Sequence, residues 1–336
     1  MTPPCTRCYV ISLMKTFSVI ATCFVSIFFV LGSSSAFAFE GPLQAKNQFP
    51  LFLYVNPPRL ESVLTANSFS ASLSHSSVFM IKDSPEWSVN LDMEITELAL
   101  RFRKDIPDLF EVGIEVPLVS FESGFMDGFL DSYHEAFGFA DYGRSGRPEN
   151  EFLYEVKRNG SIVIKGKNGR IGIGDVRITA KRVLREGDPA VGVRAEFQLP
   201  TGDASEGFGS GTFGAGATLL INKKLSEKFI SYWNIGAVSP GDLKARQTVS
   251  LKNFFHGGAG IEAALWEQFS LLGQVEFQTS PFPKTGIGAI DRISVLLSLG
   301  GRYGTGNNSL ECSITEDPNT AGAPDVTFNL TYRRRF

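Results

Sequence analysis

The chain ends in the stretch TFNLTYRRRF, from Thr327 to Phe336, and this stretch decides the fold. Its apolar side chains stand at every second position, and polar side chains stand between them. The apolar set is Phe328, Leu330, Tyr332 and Phe336, and the polar set is Thr327, Asn329, Thr331 and Arg333. Because successive side chains of a β-strand point to opposite faces, the stretch predicts a strand with one apolar face and one polar face.

A strand of this kind that ends on a bare C-terminal phenylalanine resembles the closing strand of a bacterial outer-membrane β-barrel. In that class the aromatic last residue and the alternating apolar positions before it form the insertion signal. The resemblance therefore implies that the barrel-assembly machinery is a partner that recognises Phe336. Arg334 departs from the pattern, since an apolar residue is usual two positions before the end.

Alternating runs also fill the chain upstream of this strand. They begin near residue 68, and with the closing strand they make twelve runs. A tilted membrane strand needs about 9–11 residues, and most of the runs are about this long. The sequence therefore predicts an all-β protein, a transmembrane antiparallel β-barrel of about 12 strands.

The connections between the runs alternate between short and long. Compact polar turns follow the even-numbered runs, whereas longer segments follow the odd-numbered runs, as at residues 76–86 and in the long third loop at residues 121–172. Outer-membrane barrels have short periplasmic turns, longer extracellular loops and an even number of strands. The alternative is a secreted β-sandwich, which also alternates but has no reason to sort its connections by length.

The beginning of the chain predicts an export signal. Lys15 precedes an apolar run from Phe17 to Leu31, and residues 36–38 read Ala-Phe-Ala, which is typical of a signal-peptidase site. We expect residues 1–38 to be a cleaved signal peptide and residues 39–336 to be the barrel in the outer membrane of a Gram-negative cell. Translation from Met1 and translation from Met14 both remain open.

Composition argues against several classes of function. The net charge is −3, and the absence of a basic excess gives no support for binding nucleic acid. Beyond the signal peptide, Cys312 is the single cysteine, so no disulfide within the exported chain is expected. No two histidines have the spacing of metal ligands. A G-x-G-x-x-G match at residues 209–214 leads into an alternating run rather than a helix, so we predict no cofactor.

The polar face of the runs predicts a charged lumen. By their phase, the following side chains point inward: Asp92, Glu94, Arg101, Glu111, Glu115, Arg177, Lys181, Arg194, Glu196, Glu276 and Arg302. Within this set Asp92, Glu115, Arg177 and Arg194 are candidate pore residues. The alternative to a role in a pore is that opposite charges on facing strands pair with each other and fill the lumen. The second run carries its apolar residues, from Trp87 to Ile95, on the lipid side, and its phase then changes, which predicts a β-bulge near Thr96.

The third loop contains a helical pattern. Aromatic residues recur every four positions, and acidic residues take the other side, which predicts a short amphipathic helix. The aromatic residues are Phe125, Phe129, Tyr133 and Phe137, and the candidate site residues on the helix are Asp127, Asp131 and His134. One interpretation is a lid that packs on neighbouring loops. The other interpretation is a constriction in the barrel mouth, with the acidic residues and the histidine lining the path.

His75 and Ser77 lie on one face of the first run and resemble the His and Ser of outer-membrane phospholipase, which stand on the lipid-facing wall of a barrel. Acyl transfer needs a serine that is activated by a histidine and a third group that orients the histidine. The continuation of that family's motif is absent, because Val78 and Phe79 follow. A rim histidine beside solvated serines is the alternative.

Three stretches resemble a proteobacterial family of exported proteins catalogued as domain of unknown function 3187. They are GFMDGFLDSYHEAFGFADYGR at residues 124–144, GIGDVRITAKRVL at residues 172–184 and FQLPTGDASEGFGSGTFG at residues 197–214. The last two stretches are also similar to barrels of the meta-pathway phenol-degradation type. The resemblance covers most of the exported chain. It implies an outer-membrane barrel and no established activity, so no functional residue follows from it.

These observations together predict a porin-like barrel that acts as a passive channel or uptake pore for an unknown small molecule. No enzyme activity is expected. The alternatives are a non-conducting structural or surface-interaction barrel and an outer-membrane lipid hydrolase. Expected partners besides the solute are outer-membrane lipid and lipopolysaccharide.

Overall fold

A computed structural model describes residues 39–55, 57–128, 130, 132 and 146–336. The predicted signal peptide lies outside the described residues, so the division at residue 38 stays a prediction. Two one-turn helices occur in the described part, α1 (Pro50–Leu53) and α2 (Gly288–Asp291). No helix in these ranges has the length and apolar character that crossing a membrane requires.

Most of the described chain is β-structure. The strands are β1 (Ser68–Asp83), β2 (Trp87–Ile106), β3 (Phe110–Glu122), β4 (Leu153–Arg158), β5 (Ser161–Lys165), β6 (Arg170–Ile173), β7 (Val176–Arg185), β8 (Ala190–Leu199), β9 (Gly214–Ser226), β10 (Phe229–Ser239), β11 (Leu243–Lys244), β12 (Thr248–Val249), β13 (Phe254–Trp266), β14 (Phe269–Gln278), β15 (Ser294–Thr305), β16 (Asn308–Glu316) and β17 (Val326–Arg335). Twelve of them form the wall, and β4, β5, β6, β11 and β12 belong to the connections.

The wall closes where the last strand meets the first. Strand β17 pairs antiparallel with β1, from Ser68 opposite Arg335 to Ser77 opposite Val326, and each remaining wall strand pairs with its neighbours in the chain. Closure leaves no unpaired edge, as a membrane-spanning sheet requires. The predicted twelve-stranded antiparallel barrel is confirmed. The predicted faces of the last strand are also correct, since Thr327, Asn329, Thr331 and Arg333 are buried inside.

The two ends of the barrel differ in their connections. At the turn end, the strands are joined through residues 107–109, 186–189, 227–228, 267–268 and 306–307. At the loop end, the corresponding connections span residues 84–86, 123–175, 200–213, 240–253, 279–293 and 317–325. The first of these loop-end connections is shorter than predicted, because β1 and β2 continue their pairing to Asp83 and Ser88. Short turns mark the periplasmic end of outer-membrane barrels.

The outside of the wall carries an apolar belt. Large aliphatic and aromatic side chains such as Leu73, Phe197, Ile235 and Leu299 are exposed on the strands. A ring of aromatic side chains surrounds the turn end, where these rings suit the membrane interface. Its members are Phe102, Phe110, Phe229, Trp266, Phe269, Tyr303, Tyr332 and Phe336. Phe336 stacks on Phe102 with a centroid distance of 5.9 Å. These features support an outer-membrane location.

The loop-end half of β2 differs from the prediction. The register between β2 and β1 is continuous over the whole of β2, so no bulge occurs at Thr96. Trp87, Leu91 and Ile95 therefore point inward, on the same face as Arg101, and they are fully buried. The predicted inward direction of Asp92 and Glu94 was wrong, since both lie on the outer face. The physical reason is that the interior at this level is apolar rather than wet.

The strands that the structure describes in the third loop extend the wall. Strand β4 pairs with the loop-end part of β2, β5 pairs with β4, and β6 pairs with β3. At the start of the predicted helix, the N–H of Leu130 donates to the carbonyl of Met126 over 2.8 Å. Met126 and Leu130 pack against Val326 and Ile314, which lie on the outer wall. Most of the predicted helix lies outside the described residues and stays a prediction.

Residues 39–55 and 57–66, which we call the plug, lie inside the barrel. Glu40 is at the turn end, where it contacts Arg333. The segment then runs to the loop end, where α1 is buried, and returns to the turn end, where the N–H of Ala66 donates to Glu111 over 2.8 Å. The chain therefore passes through the lumen twice before it enters β1.

We expect an arginine at Leu299 to disrupt the wall. Leu299 is near the middle of β15, and its side chain is 57% exposed on the outer face. An arginine on the lipid face near the bilayer midplane costs about 2–4 kcal/mol, but only about 0–1 kcal/mol near the interface. Leu299→Arg should therefore lower the free energy of unfolding in lipid vesicles by about 2–4 kcal/mol. Leu265→Arg, at the turn end of β13, is the matched control, and equal losses would contradict the orientation of the wall.

Candidate functional site

The lumen is lined by charged side chains of both signs. Seven basic residues of the wall are buried there, namely Arg101, Arg103, Arg177, Lys181, Arg194, Arg302 and Arg333. Seven acidic residues are buried with them, namely Glu97, Glu111, Glu115, Glu196, Glu262, Glu276 and Glu311. A charge that is removed from water needs a partner of opposite sign or several hydrogen bonds. The plug supplies part of this pairing.

Glu61 of the plug lies among three arginines. Its carboxylate forms an ion pair with Arg101 of β2, and it lies 3.6 Å from Arg103 of the same strand and 3.5 Å from Arg194 of β8. Lys181 lies nearby and donates to the carbonyls of Ser62 and Leu64 at 3.2 and 2.7 Å. The basic side of the wall therefore holds the returning half of the plug.

The cations of the plug contact the acidic residues of β2 and β3. Lys46 lies 2.8 Å from Glu97 and 3.6 Å from Glu115. Arg59 forms an ion pair with Glu115 and lies 3.6 Å from Glu97. Because these four side chains are almost completely buried, removing either cation would leave carboxylates without their compensating charge in the closed barrel.

Arg302 of β15 anchors the first part of the plug. Its guanidinium contacts Glu262 at 3.0 Å and Glu311 at 2.6 Å, and it donates to the carbonyls of Gly41 and Pro42 at 2.8 and 3.3 Å. Asparagine side chains of the wall hold the plug backbone in the same way. Asn234 accepts from the N–H of Glu61 at 2.8 Å and donates to its carbonyl at 3.0 Å.

Inward-facing glycines of the wall make room for apolar side chains of the plug. A Cβ at each glycine would come within 3.2 Å of the plug at three positions and within 3.7 Å at the fourth. The pairs are Gly192 with Val63, Gly258 with Leu60, Gly260 with Pro42 and Gly300 with Leu43. Larger residues at the three tight positions would push the plug away. The inner surface of the wall is therefore complementary to this segment.

The loop end is sealed by an apolar core that we call the lid. The plug contributes Phe49, Leu51, Phe52, Tyr54 and Val55, which pack against Trp87, Leu91, Phe121, Tyr154, Phe208, Phe254, Phe282, Ile287 and Ile290. Phe282 is central, since its ring centroid lies 6.0–6.4 Å from those of Trp87, Phe52 and Tyr54. Below the lid, two small cavities of about 20 and 10 Å³ occur among the described residues. Each is about large enough for one water molecule.

The site residues predicted from the sequence lie in different parts of the structure. Glu115, Arg177 and Arg194 lie in the lumen, whereas Asp92 lies outside it, 2.8 Å from Arg147. Asp127 is also outside the lumen and accepts from the N–H of Asn150 at 2.6 Å. Asp131 and His134 lie outside the described residues. The structure thus brings only the lumen set together, and a role of these residues in a pore stays a prediction.

His75 stands on the outer face, as the resemblance to the phospholipase requires. Its Nε2 lies 2.8 Å from Glu94, and its Nδ1 lies 2.9 Å from the hydroxyl of Thr96. The imidazole also stacks on Phe125 with a centroid distance of 5.4 Å. Because both ring nitrogens already have partners, neither is left to activate Ser77 in this arrangement. The geometry therefore does not support Ser77 as a nucleophile that His75 activates.

The plug is absent from the sequence-based predictions, although the segment carries signals of it. Residues 39–66 contain no run with a period of two, and they include prolines at 42, 50, 57 and 58. Proline cannot donate to a sheet ladder, so such a segment does not join a continuous wall. Its charged residues, Glu40, Lys46, Arg59 and Glu61, sum to zero. This balance is compatible with a lumen that contains both signs.

A larger cavity of about 380 Å³ lies at the loop end, outside the lid. It is bordered by the end of β1, by α2 and by the loop at residues 317–325. Asp317 accepts from the N–H groups of Asn319 and Ala321 at 3.0 and 2.9 Å. Burial raises the pKa of the Asp317 carboxyl to about 6, and the nearby Asp325 acts in the same direction.

The loop at Asp317 should therefore depend on pH. The pKa of Asp317 is raised from 3.8 to about 6 by folding, so the folded loop binds the proton more tightly than the unfolded loop does. Its stability should be highest near pH 4, fall as the pH rises through 6, and then level off. Amide hydrogen exchange at Asn319 and Ala321 measures this change.

Asp317→Asn is the matched variant, because an amide does not titrate in this range. Its exchange should show little dependence on pH between 4 and 7 after correction for intrinsic rates. A pH dependence that persists in the variant would assign the effect to another group.

Replacing Arg302 should loosen the plug. Arg302→Gln leaves Glu262 and Glu311 buried without their cation, and breaking a buried pair costs about 3–5 kcal/mol. We expect a loss of this size in the free energy of unfolding, together with faster cleavage by trypsin after Arg59. Arg292→Gln is the control, since Arg292 is exposed and bonds to two loop carbonyls. An unchanged stability in Arg302→Gln would contradict the role of this anchor.

A family model described as "Protein of unknown function (DUF3187)" matches residues 17–336 of the chain. Among solved structures, the COG4313 outer membrane channel from Pseudomonas putida F1 is 15% identical, with coverage of 84% of this chain and 99% of that chain and a TM-score of 0.54. The NanC porin is 6% identical, with coverage of 81% and 100% and a TM-score of 0.47. The CymD monoaromatic hydrocarbon channel is 10% identical, with coverage of 89% and 95% and a TM-score of 0.40.

No curated protein matches the chain significantly. At 15% identity, the likeness to the COG4313 channel concerns the fold, which is that of an outer-membrane β-barrel.

Proposed function

Since the chain belongs to the DUF3187 family, whose description gives no activity, we propose a function from its geometry: an outer-membrane channel for small molecules that is closed at rest by the plug. One observation carries this proposal. The plug, which is not itself part of the wall, forms ion pairs with charged side chains of the wall. Export by residues 1–38 and insertion through Phe336 belong to the same proposal.

The charged wall is the first support. A barrel that served only as an anchor could fill its interior with apolar side chains, which are often as stabilising as buried ion pairs or more so. Here Arg101, Arg194, Glu97 and Glu115 are directed at a segment that is held without covalent cross-links. When the plug leaves, these side chains would meet water, which solvates both signs. A wall of this kind suits a surface that is wet during part of its working cycle.

The lid sets the cost of opening. Complete burial of a large apolar side chain contributes about 1.5–3 kcal/mol, so the six plug residues at positions 49 and 51–55 contribute on the order of 10 kcal/mol in the lid. Spontaneous release would then occur in on the order of one molecule in ten million. A pore that is always open does not fit this arrangement. The proposed channel therefore needs a trigger that acts on the lid or on the charges below it.

The second candidate function is a non-conducting structural or surface-interaction barrel. The filled lumen favours it, because the two lumen cavities bordered by described residues, of about 20 and 10 Å³, are each too small for an organic solute. The two functions differ in one property, which is whether the barrel conducts once the plug has been released. A variant with a weakened lid can therefore separate them.

Phe52→Asp should release the plug, because it places an unpaired carboxylate at a fully buried position of the lid. We expect single-channel currents from the purified full-length variant in planar bilayers, together with rapid tryptic cleavage after Arg59. Phe125→Asp is the matched control, since Phe125 is 64% exposed and lies outside the lumen. A folded Phe52→Asp barrel that is cleaved after Arg59 but carries no current would support the non-conducting alternative.

A disulfide can test whether plug movement is the cause of the current. The Cβ of Pro42 lies 3.7 Å from a Cβ built on Gly260, and disulfides need Cβ atoms about 3.5–4.5 Å apart. In a Cys312→Ser background, Pro42→Cys with Gly260→Cys should lower the current of Phe52→Asp when oxidised and restore it when reduced. Pro42→Cys alone should show no redox effect. Equal currents in both redox states would mean that the plug does not gate the path.

A further inference from the structure

Three guanidinium groups converge on one carboxylate in the lumen. Arg101 and Arg103 come from β2 and Arg194 comes from β8, and two other wall strands, β3 and β7, separate them. Arg101 and Arg194 approach Oε1 of Glu61, whereas Arg103 approaches Oε2. Each oxygen of one planar carboxylate is therefore contacted, which is the arrangement that arginine-rich carboxylate sites use.

Arg194 and the neighbouring Arg177 have donors that no acceptor in the described part of the chain uses. Nε of Arg194 and Nη2 of Arg177 are buried and have no hydrogen-bond partner among the described residues. Both side chains border the cavity of about 10 Å³, together with Glu61 and Arg101. Buried donors without acceptors are costly, so they indicate that this position is built for more acceptor atoms than one side chain brings.

We infer that Arg101, Arg103 and Arg194 form a binding site for small organic carboxylates, and that Glu61 occupies this site in the closed state. The inference rests on the proposed channel function and names the class of its solute. When the plug moves, Glu61 leaves and the three arginines stay on the wall. A carboxylate solute then replaces Glu61 as the partner of Arg101 and Arg103. Arg194 keeps its wall partner Glu196, at 3.2 Å, and contacts the solute through its other nitrogen.

Lys46 and Arg59 are paired with other groups. They neutralise Glu97 and Glu115 on β2 and β3. Their departure exposes two carboxylates near the three arginines. An open lumen would then present both signs to a solute, with the carboxylate held by Arg101, Arg103 and Arg194.

Chemical rescue tests the site without requiring the channel to open. Glu61→Ala removes the side-chain carboxylate and leaves a space beside the three arginines. The full-length variant is refolded into detergent with sodium acetate, and its thermal unfolding midpoint is followed by the shift between folded and unfolded bands on gels. Acetate at about ten times its dissociation constant should raise the folded-to-unfolded ratio about tenfold.

Acetamide and sodium chloride define the chemistry of the rescue. Acetamide has nearly the shape of acetate but no charge, and chloride has the charge but no carboxylate oxygens. Both should therefore restore much less of the stability of Glu61→Ala than acetate does at equal concentration and ionic strength. A rescue by acetamide or chloride as large as that by acetate would overturn the carboxylate site. No rescue by acetate in a folded variant would overturn it as well.

Two further variants serve as controls. Lys46→Ala breaks another buried ion pair of the plug but leaves Glu61 in place, so acetate should not restore its stability. Glu227→Ala removes a carboxylate that is exposed on a turn and bonded to Lys224, and it should neither lose stability nor respond. A response of Lys46→Ala equal to that of Glu61→Ala would show a general effect of acetate and would contradict the proposal.

The channel proposal and the site proposal can fail separately. Rescue by acetate in a barrel that never conducts would support the carboxylate site and contradict the proposed transport. Conduction in Phe52→Asp without rescue in Glu61→Ala would support the channel and contradict a carboxylate as its solute. In the conducting variant, Arg101→Gln with Arg103→Gln should also lower the permeability ratio of acetate to sodium, whereas an unchanged ratio would count against the site.

Discussion

The need to neutralise charge away from water governs the interior of this barrel. A carboxylate or a guanidinium that is enclosed by a sheet loses its hydration, and it remains only where an opposite charge or several polar groups replace the water. The wall brings seven buried acids and seven buried bases, and the plug brings Lys46, Arg59 and Glu61 to the places where the wall needs partners. The plug and the charged wall therefore depend on each other.

The plug is held by two kinds of contact, and they differ in what can replace them. Between the lid and the turn end, the plug is held through polar contacts with Arg302, Asn234 and the charged residues of the wall. Water or a polar solute can make such contacts as well. At the loop end, Phe52, Tyr54 and their neighbours hold it through apolar contacts, which water cannot replace. The lid therefore holds the plug by excluding water, whereas the polar part determines which segment fits.

The face of β2 shows where sequence reasoning reached its limit. Alternation from Trp87 to Ile95 predicts one apolar face correctly, but an apolar face is equally compatible with lipid outside and with an apolar core inside. Because β2, together with β1, extends beyond the neighbouring wall strands β3 and β17 into the lid, its apolar side chains point inward there. Asp92 was assigned to the lumen for this reason, and no local pattern around it could have corrected the assignment. Arg194, on a strand of ordinary length, was assigned correctly.

The sequence by itself determined the wall: twelve alternating runs, the sorting of connections into short and long, and the closing strand at Thr327–Phe336 follow from a period of two that any lipid-exposed strand must keep. It also determined that Glu115, Arg177 and Arg194 line the interior. Only the tertiary structure decided that the plug fills the lumen and that Glu61 meets Arg101, Arg103 and Arg194. These contacts join residues far apart in the chain, and charge complementarity across a lumen leaves no periodic trace along it.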